Sequence, residues 1–305
     1  MARDALNPAG SRRRSRVAAL SVFSNTALIA LKLAAALITG SVALLTEALH
    51  SSIDLVASLV AFLSVRKAEQ PADADHPYGH DKLEDLAAVI EGVLILVGSV
   101  AITLTATQHL ASRSEVDHVP VALAVLALSI LVNLFVTRRL RRAAVETGSP
   151  ALAADASHLT ADALTSAGVF AGLVLVAITG ATWLDPVVAL IVAAVILIEG
   201  VRIVGRGSRS LVDEALPAGE LEQIRVVISS HGPPVTGFHR LRARRAGSAR
   251  HVDVHVQFEE GTSLEAAHDA TGILKRGIAA QLGGTVDVLI HAEPADAIDH
   301  SPASP

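Results

Sequence analysis

Two segments of the chain repeat one chemical pattern, Glu47-Ala48-Leu49-His50-Ser51-Ser52-Ile53-Asp54 and Asp155-Ala156-Ser157-His158-Leu159-Thr160-Ala161-Asp162, running on to Ser58 and Ser166. Each sets a histidine and an aspartate four residues apart inside an apolar stretch, and on an α-helix that spacing puts both side chains on one face. Two such helices facing each other offer two imidazole nitrogens and two carboxylate oxygens, the donor set of a tetrahedral site for a divalent metal such as zinc. Ionisable groups at membrane depth are costly and mark ion pathways. The plainer alternative is a pair of helix-packing hydrogen bonds, against which the repetition weighs.

The elements that must carry these residues follow from composition. The chain has 305 residues, 51% apolar and 18% charged, with a mean hydropathy of +0.50, a profile foreign to soluble domains. Six stretches reach the roughly 20 apolar residues that cross a bilayer: Val17 to Ile38, Val42 to Val65, Leu86 to Thr107, Val119 to Leu140, Leu152 to Ile178 and Leu184 to Ile203. Basic residues gather before the first (Arg3, Arg12, Arg13, Arg14, Arg16), between the second and third (Arg66, Lys67, Lys82), between the fourth and fifth (Arg138, Arg139, Arg141, Arg142) and after the sixth (Arg206, Arg209), whereas the opposite loops hold only Arg113. The positive-inside rule therefore predicts cytoplasmic termini and an even number of crossings. Cysteine is absent, so a bound metal takes nitrogen and oxygen ligands. Of the other polar residues in the spans, Lys32 is expected to snorkel to the outer interface, and Asn25, Glu91, Asn133 and Glu199 to pair between helices.

After Arg209 the texture becomes that of a small soluble domain. A helix is predicted near Glu220 to Ser230, strands over Gly237 to Arg245 and His251 to Phe258 joined by a hairpin at Ala246-Gly247-Ser248, a helix from Ser263 to Leu282 and a strand over Val286 to His291. Val252, Val254, Val256 and Phe258 alternate with His251, Asp253, His255 and Gln257, so one face is core and the other wet. The αββαβ order suggests an α+β sandwich of ferredoxin-like kind. Its histidines could gather a metal, with His239 and His255 on adjacent strands, His268 on the helix and His291 sharing a face with Glu293, or could be scattered surface residues. The turn Asp73-Ala74-Asp75-His76-Pro77-Tyr78-Gly79-His80 is open in the same way, as a cytoplasmic chelating loop or an ordinary polar turn.

Taken together, the His50/Asp54 and His158/Asp162 pairs, Gly40-Ser41-Val42-Ala43-Leu44, His76-Pro77-Tyr78-Gly79-His80 and Val212-Asp213-Glu214-Ala215-Leu216-Pro217 resemble the cation diffusion facilitator family, from about Val17 to Pro294. The resemblance implies an α-helical membrane protein with six transmembrane helices and a C-terminal cytoplasmic α+β ferredoxin-like domain, working as a homodimer in the inner (plasma) membrane and exchanging Zn2+ for protons. It implies a cytoplasmic tail over 1–16, a transmembrane domain over 17–209, a metal-binding domain over 210–294 and a disordered tail over 295–305. It makes His50, Asp54, His158 and Asp162 the transport site, Asp73, His76 and His80 a loop site, and His239, His255, His268, His291 and Glu293 a regulatory cluster, with Lys82 and Asp213 as a charge interlock near the dimer interface. Many bacterial members carry Asp at the position of His50. The two-histidine site resembles the zinc-selective branch, while cadmium, cobalt, nickel, iron and manganese remain alternatives.

Other classes fare worse. A membrane metalloenzyme would need an open coordination position and a further base, and a metal sensor would need only the soluble domain. A net charge of -5, with the basic residues beside the spans, argues against nucleic acid.

Overall fold

The computed structural model describes residues 8–39, 42–111, 119–181 and 183–295, in two compact units that divide between Leu211 and Val212. Residues 296–305, nearly all of the expected disordered tail, lie outside this description.

The first unit is built of six long helices, α1 (Pro8–Thr39), α2 (Val42–Ala68), α3 (Lys82–Ala111), α4 (Val119–Thr147), α5 (Pro150–Thr179) and α6 (Leu184–Leu211). Segments of α1, α3 and α6 (Arg12–Ile38, Lys82–Gln108 and Pro186–Leu211) are each long and apolar enough to cross a membrane. The helix α1 reaches back to Pro8, so the arginines expected in an N-terminal tail are on a helical extension, consistent with the good helix propensity of arginine and with proline in a first turn. Helix α4 stops at Gly148 (φ 67), and α5 restarts on Pro150 behind Ser149, whose Oγ accepts from the Leu152 N–H.

Small residues let helices approach closely. A Cβ on Gly92 of α3 would stand 2.8 Å from Val204 Cγ2, and one on Gly207 of α6 2.7 Å from Val89 Cγ2, so α3 and α6 pack with glycine at the contact. Leu140, Leu152, Leu159, Val65 and Val136 fill a core shared by α2, α4 and α5.

Lys32 departs from expectation. It is only 4% exposed, and its Nζ donates to Ser51 Oγ on α2 at 2.6 Å. A facing hydroxyl inside the bundle gives the ammonium a partner that a snorkelling side chain would seek at the interface. Asn25 does pair between helices, donating through Nδ2 to the Asp54 carbonyl at 3.3 Å. Glu199 pairs instead along its own helix, with Arg202 at 3.7 Å and Arg206 at 3.3 Å. Neither Glu91 oxygen nor Asn133 Oδ1 has a hydrogen-bond partner among the described residues.

The second unit runs α7 (Ala218–Ser229), β1 (Val235–Ala246), β2 (Ala249–Phe258), α8 (Leu264–Leu282) and β3 (Thr285–Pro294). This is the expected αββαβ order, and its hairpin turns at Gly247 (φ 55). The sheet order is β1-β2-β3, with β1 and β2 antiparallel and β2 and β3 parallel. The ferredoxin-like plan needs a first strand and a β-α-β-β-α-β order. Among the described residues its place holds only an isolated antiparallel bridge, Ala215 to Arg244, so the domain is an α+β unit on a three-stranded mixed sheet. The parallel pairing follows from α8, a crossover long enough to return the chain in the same direction. Ser263 caps α8, its Oγ accepting from the Ala266 N–H at 3.1 Å.

Alternation along the central strand holds. Val252, Val254, Val256 and Phe258 are buried against Ile224 and Ile228 of α7 and Leu274 and Ile278 of α8. Both Leu274 and Ile278 are sealed, so Leu274→Ala or Ile278→Ala is expected to destabilise the separate fragment 212–295 by about 2–5 kcal/mol in urea unfolding. A change below about 1 kcal/mol would show that α8 does not seal this core.

Candidate metal sites

Within the helical unit, α2 and α5 bring together Asp54, His158 and Asp162, whose ligating atoms lie within 4.8 Å of one another. His158 Nε2 is 3.4 Å from Asp54 Oδ1 and 4.0 Å from Asp162 Oδ2. Asp54 and His158 are buried, and neither imidazole nitrogen of His158 makes a hydrogen bond among the described residues. A buried ring whose Nε2 faces two carboxylates, and whose Nδ1 has no hydrogen-bond partner among the described residues, is costly as a packing device and suited to a cation. His50 lies on α2 four residues before Asp54, and its side chain is outside the described residues. Asn25 holds the α2 backbone at Asp54.

One turn before His158 stands a group the motif did not single out. Asp155 is fully buried and accepts from Ser21 Oγ at 3.1 Å. Its position three residues before His158 was the signal available in the sequence, since that spacing shares a helix face.

The turn between α2 and α3 gathers Asp73, His76 and His80. Asp73 Oδ1 accepts from the His76 N–H at 2.7 Å and stands 3.2 Å from His76 Nδ1, while Asp73 Oδ2 is 3.3 Å from His80 Nε2. The His76 backbone hydrogen bond outweighs desolvation and holds the Asp73 carboxyl below its ordinary value. Gly79 (φ 85) closes the turn, and the two rings lie 4.5 Å apart, His80 buried and His76 exposed.

In the soluble unit, three of the five predicted residues converge, His239, His255 and Glu293. His239 and His255 are cross-strand partners on β1 and β2, with rings 5.2 Å apart. The Glu293 carboxylate bonds His239 Nε2 through Oε1 and lies 3.2 Å from His255 Nδ1 through Oε2. His291, opposite His255 in the parallel register, stacks on it at 4.6 Å. His268 sits on an exposed face of α8 and is not among the grouped residues. Just past His239 the β1 register slips, and Arg240 adopts φ 51. The two residues anticipated as an interlock have these contacts: Lys82 Nζ donates to the Leu211 carbonyl at 3.2 Å, and Arg244 Nη1 to Asp213 Oδ1 at 2.8 Å.

Residues 18–212 match the cation efflux transmembrane domain and residues 216–295 the cytoplasmic domain of cation efflux proteins. The chain is 35% identical over 277 residues to an uncharacterized transporter of Synechocystis sp., covering 91% of this chain and 89% of that one. It is 35% identical over 289 residues to metal tolerance protein C1 of Arabidopsis thaliana, covering 88% and 61%, and 30% identical over 298 residues to the cation-efflux pump FieF of Salmonella paratyphi A, covering 96% and 97%. The chain belongs to the cation efflux family, whose members are transporters and not enzymes.

Burial acts to raise the Glu293 carboxyl, but hydrogen bonds from His239 and His255 outweigh it and hold the group below its ordinary value. A depressed carboxyl contributes stability that is present above the unfolded value of about 4.3 and lost as pH falls through the folded one. Thermal unfolding of metal-free fragment 212–295 is therefore expected to lose stability below about pH 4.3, with a shallower slope in Glu293→Gln. Equal slopes would mean that the hydrogen bonds do not hold Glu293 ionised.

Proposed function

We propose, with cation efflux family membership as the premise, that the chain exports Zn2+ from the cytoplasm in exchange for protons. The observation that supports this best is the buried Asp54/His158/Asp162 group on α2 and α5, to which the spacing on α2 adds His50. Two imidazoles and two carboxylates form a zinc-type donor set, whereas more carboxylate would suit larger, oxygen-preferring ions. The ligands suit turnover as well as binding. Thiolates would grip zinc too tightly for release each cycle, while imidazole and carboxylate exchange metal for protons near neutral pH. Returning protons then help eject the ion on the far side.

In this reading all six helices cross the inner (plasma) membrane, with both termini cytoplasmic. The second and fifth spans are less apolar because they carry the ligands. Asp73, His76 and His80 form a cytoplasmic loop site. His239, His255 and Glu293, with His291 beside them and His268 nearby in sequence order, take a regulatory zinc that draws two soluble domains of a homodimer together. Lys82 and Asp213 lie near the dimer interface as an interlock.

In proteoliposomes under a pH gradient, Asp54→Ala or Asp162→Ala is expected to cut zinc flux to the background of empty vesicles while insertion and dimerisation persist, since a lost ligand touches little packing. Wild-type flux in either variant would remove the site assignment.

The soluble cluster makes a separate expectation. Zinc should compact the fragment 212–305 and pair its copies in scattering, because an ion shared by facing domains favours the closed state in proportion to its differential affinity. His255→Ala with His291→Ala should abolish that response and lower transport in the full chain without ending it. Calorimetry showing no zinc uptake by the wild-type fragment would reduce these histidines to surface residues.

A further inference from the structure

A cavity of about 350 Å³ opens between α1 and α4, lined by Arg13 and Val17 from one helix and Arg138, Arg139 and Arg142 from the other. Arg13 and Val17 are one turn apart, as are Arg138 and Arg142, so each helix turns one face to the cavity. Glu146 is the carboxylate at its edge, paired with Arg13 and, at 3.0 Å, with Arg142. Arg138 and Arg139 have no carboxylate partner among the described residues, and the Arg139 guanidinium lies over the Phe135 ring at 5.1 Å. Four guanidiniums thus converge on one space with a single carboxylate between them.

The positive-inside rule asks for a number of basic residues, not for their convergence. The four arginines are exposed, so solvent screens their repulsion without removing it; an anion among them relieves the rest, and guanidinium presents the paired donors that phosphate oxygens accept. The helix below the cavity indicates which anion. Leu128, Leu131, Leu134 and Phe135 of α4 are exposed, Leu131 to 65%, at the three-and-four spacing of one helix face that leads up to Arg138 and Arg139. An acyl chain along that face would carry its headgroup into the cavity.

We propose that this cavity binds the phosphate headgroup of an anionic phospholipid of the inner leaflet. The site needs the membrane placement of α1 and α4 but neither the metal nor transport, so its test stands apart from the export reading. The shared chemistry is a phosphate, and the committed source is the lipid.

The experiment is native mass spectrometry of the purified full chain in micelles titrated with phosphatidylglycerol, with phosphatidylcholine, or with inorganic phosphate. The wild type is expected to retain phosphatidylglycerol at least ~10-fold better than phosphatidylcholine, and equal concentrations of inorganic phosphate should not displace it. Arg138→Gln/Arg139→Gln/Arg142→Gln should lose the preference, Arg138→Gln alone should weaken it, and Arg66→Gln/Lys67→Gln, at a basic helix end outside the cavity, should keep it. Should the triple variant elute as aggregate, the Arg138→Gln comparison decides. Equal retention of both lipids by the wild type, an unaltered preference in the cavity variants, or full displacement by inorganic phosphate would overturn the proposal.

Discussion

Charge held inside an apolar helix bundle is the constraint on which the rest of this molecule depends. An ionised group away from water is tolerated only with a counter-charge, a set of hydrogen bonds or a bound cation, and the helical unit shows the first two directly. Arg14 of α1 reaches Glu84 of α3 at 3.0 Å and Glu69 after α2 at 3.7 Å, Ser15 donates to Glu69 at 2.9 Å, and Ser149 before α5 donates to Glu84. One buried cluster thereby ties four helices at one end. Nearer the metal ligands the partners are hydroxyls and amides, Ser21 for Asp155, Ser51 for Lys32 and Asn25 for the Asp54 backbone. Asp54, His158 and Asp162 are the place where the protein groups leave an imidazole unsatisfied and a cation is the natural completion.

Imidazole and carboxylate recur in three settings, and the setting changes what they can do. The bundle group is buried, the loop group is exposed at Asp73 and His76 yet closed at His80, and the sheet group is half-buried. Rigid strands fix His239 and His255 as cross-strand partners, so a cation bound there meets ligands already in place, whereas the loop holds its carboxylate by backbone N–H groups from the same turn. Pre-organisation by a sheet and by a turn differ in how easily a second element can move against them.

Polar groups are unevenly distributed along the six helices. Helices α2 and α5 carry the repeated His/Asp pairs, and α4 carries Asn133 and the arginines at its end. Glycines at the contact of α3 and α6 allow their backbones to approach where bulkier residues would clash. Among the described residues neither of these two helices contributes to the Asp54/His158/Asp162 group, which α2 and α5 hold between them.

The sequence by itself determined what is local. The four-residue spacing of His158 and Asp162, the alternation of Val252, Val254, Val256 and Phe258, the hairpin at Gly247 and the αββαβ order all follow from the periods of helix and strand and from turn chemistry, and each is legible within a dozen residues. What depends on contact between distant segments was decided only by the tertiary structure. Lys32 is buried because Ser51 of a neighbouring helix faces it, β3 runs parallel to β2 because α8 carries the chain back across the sheet, and Glu293 closes on His239 and His255 while His268 stays on an exposed helix face. Periodicity assigns a residue to a face, but which face meets which is set by packing across the whole unit, and a spacing rule contains no information about that.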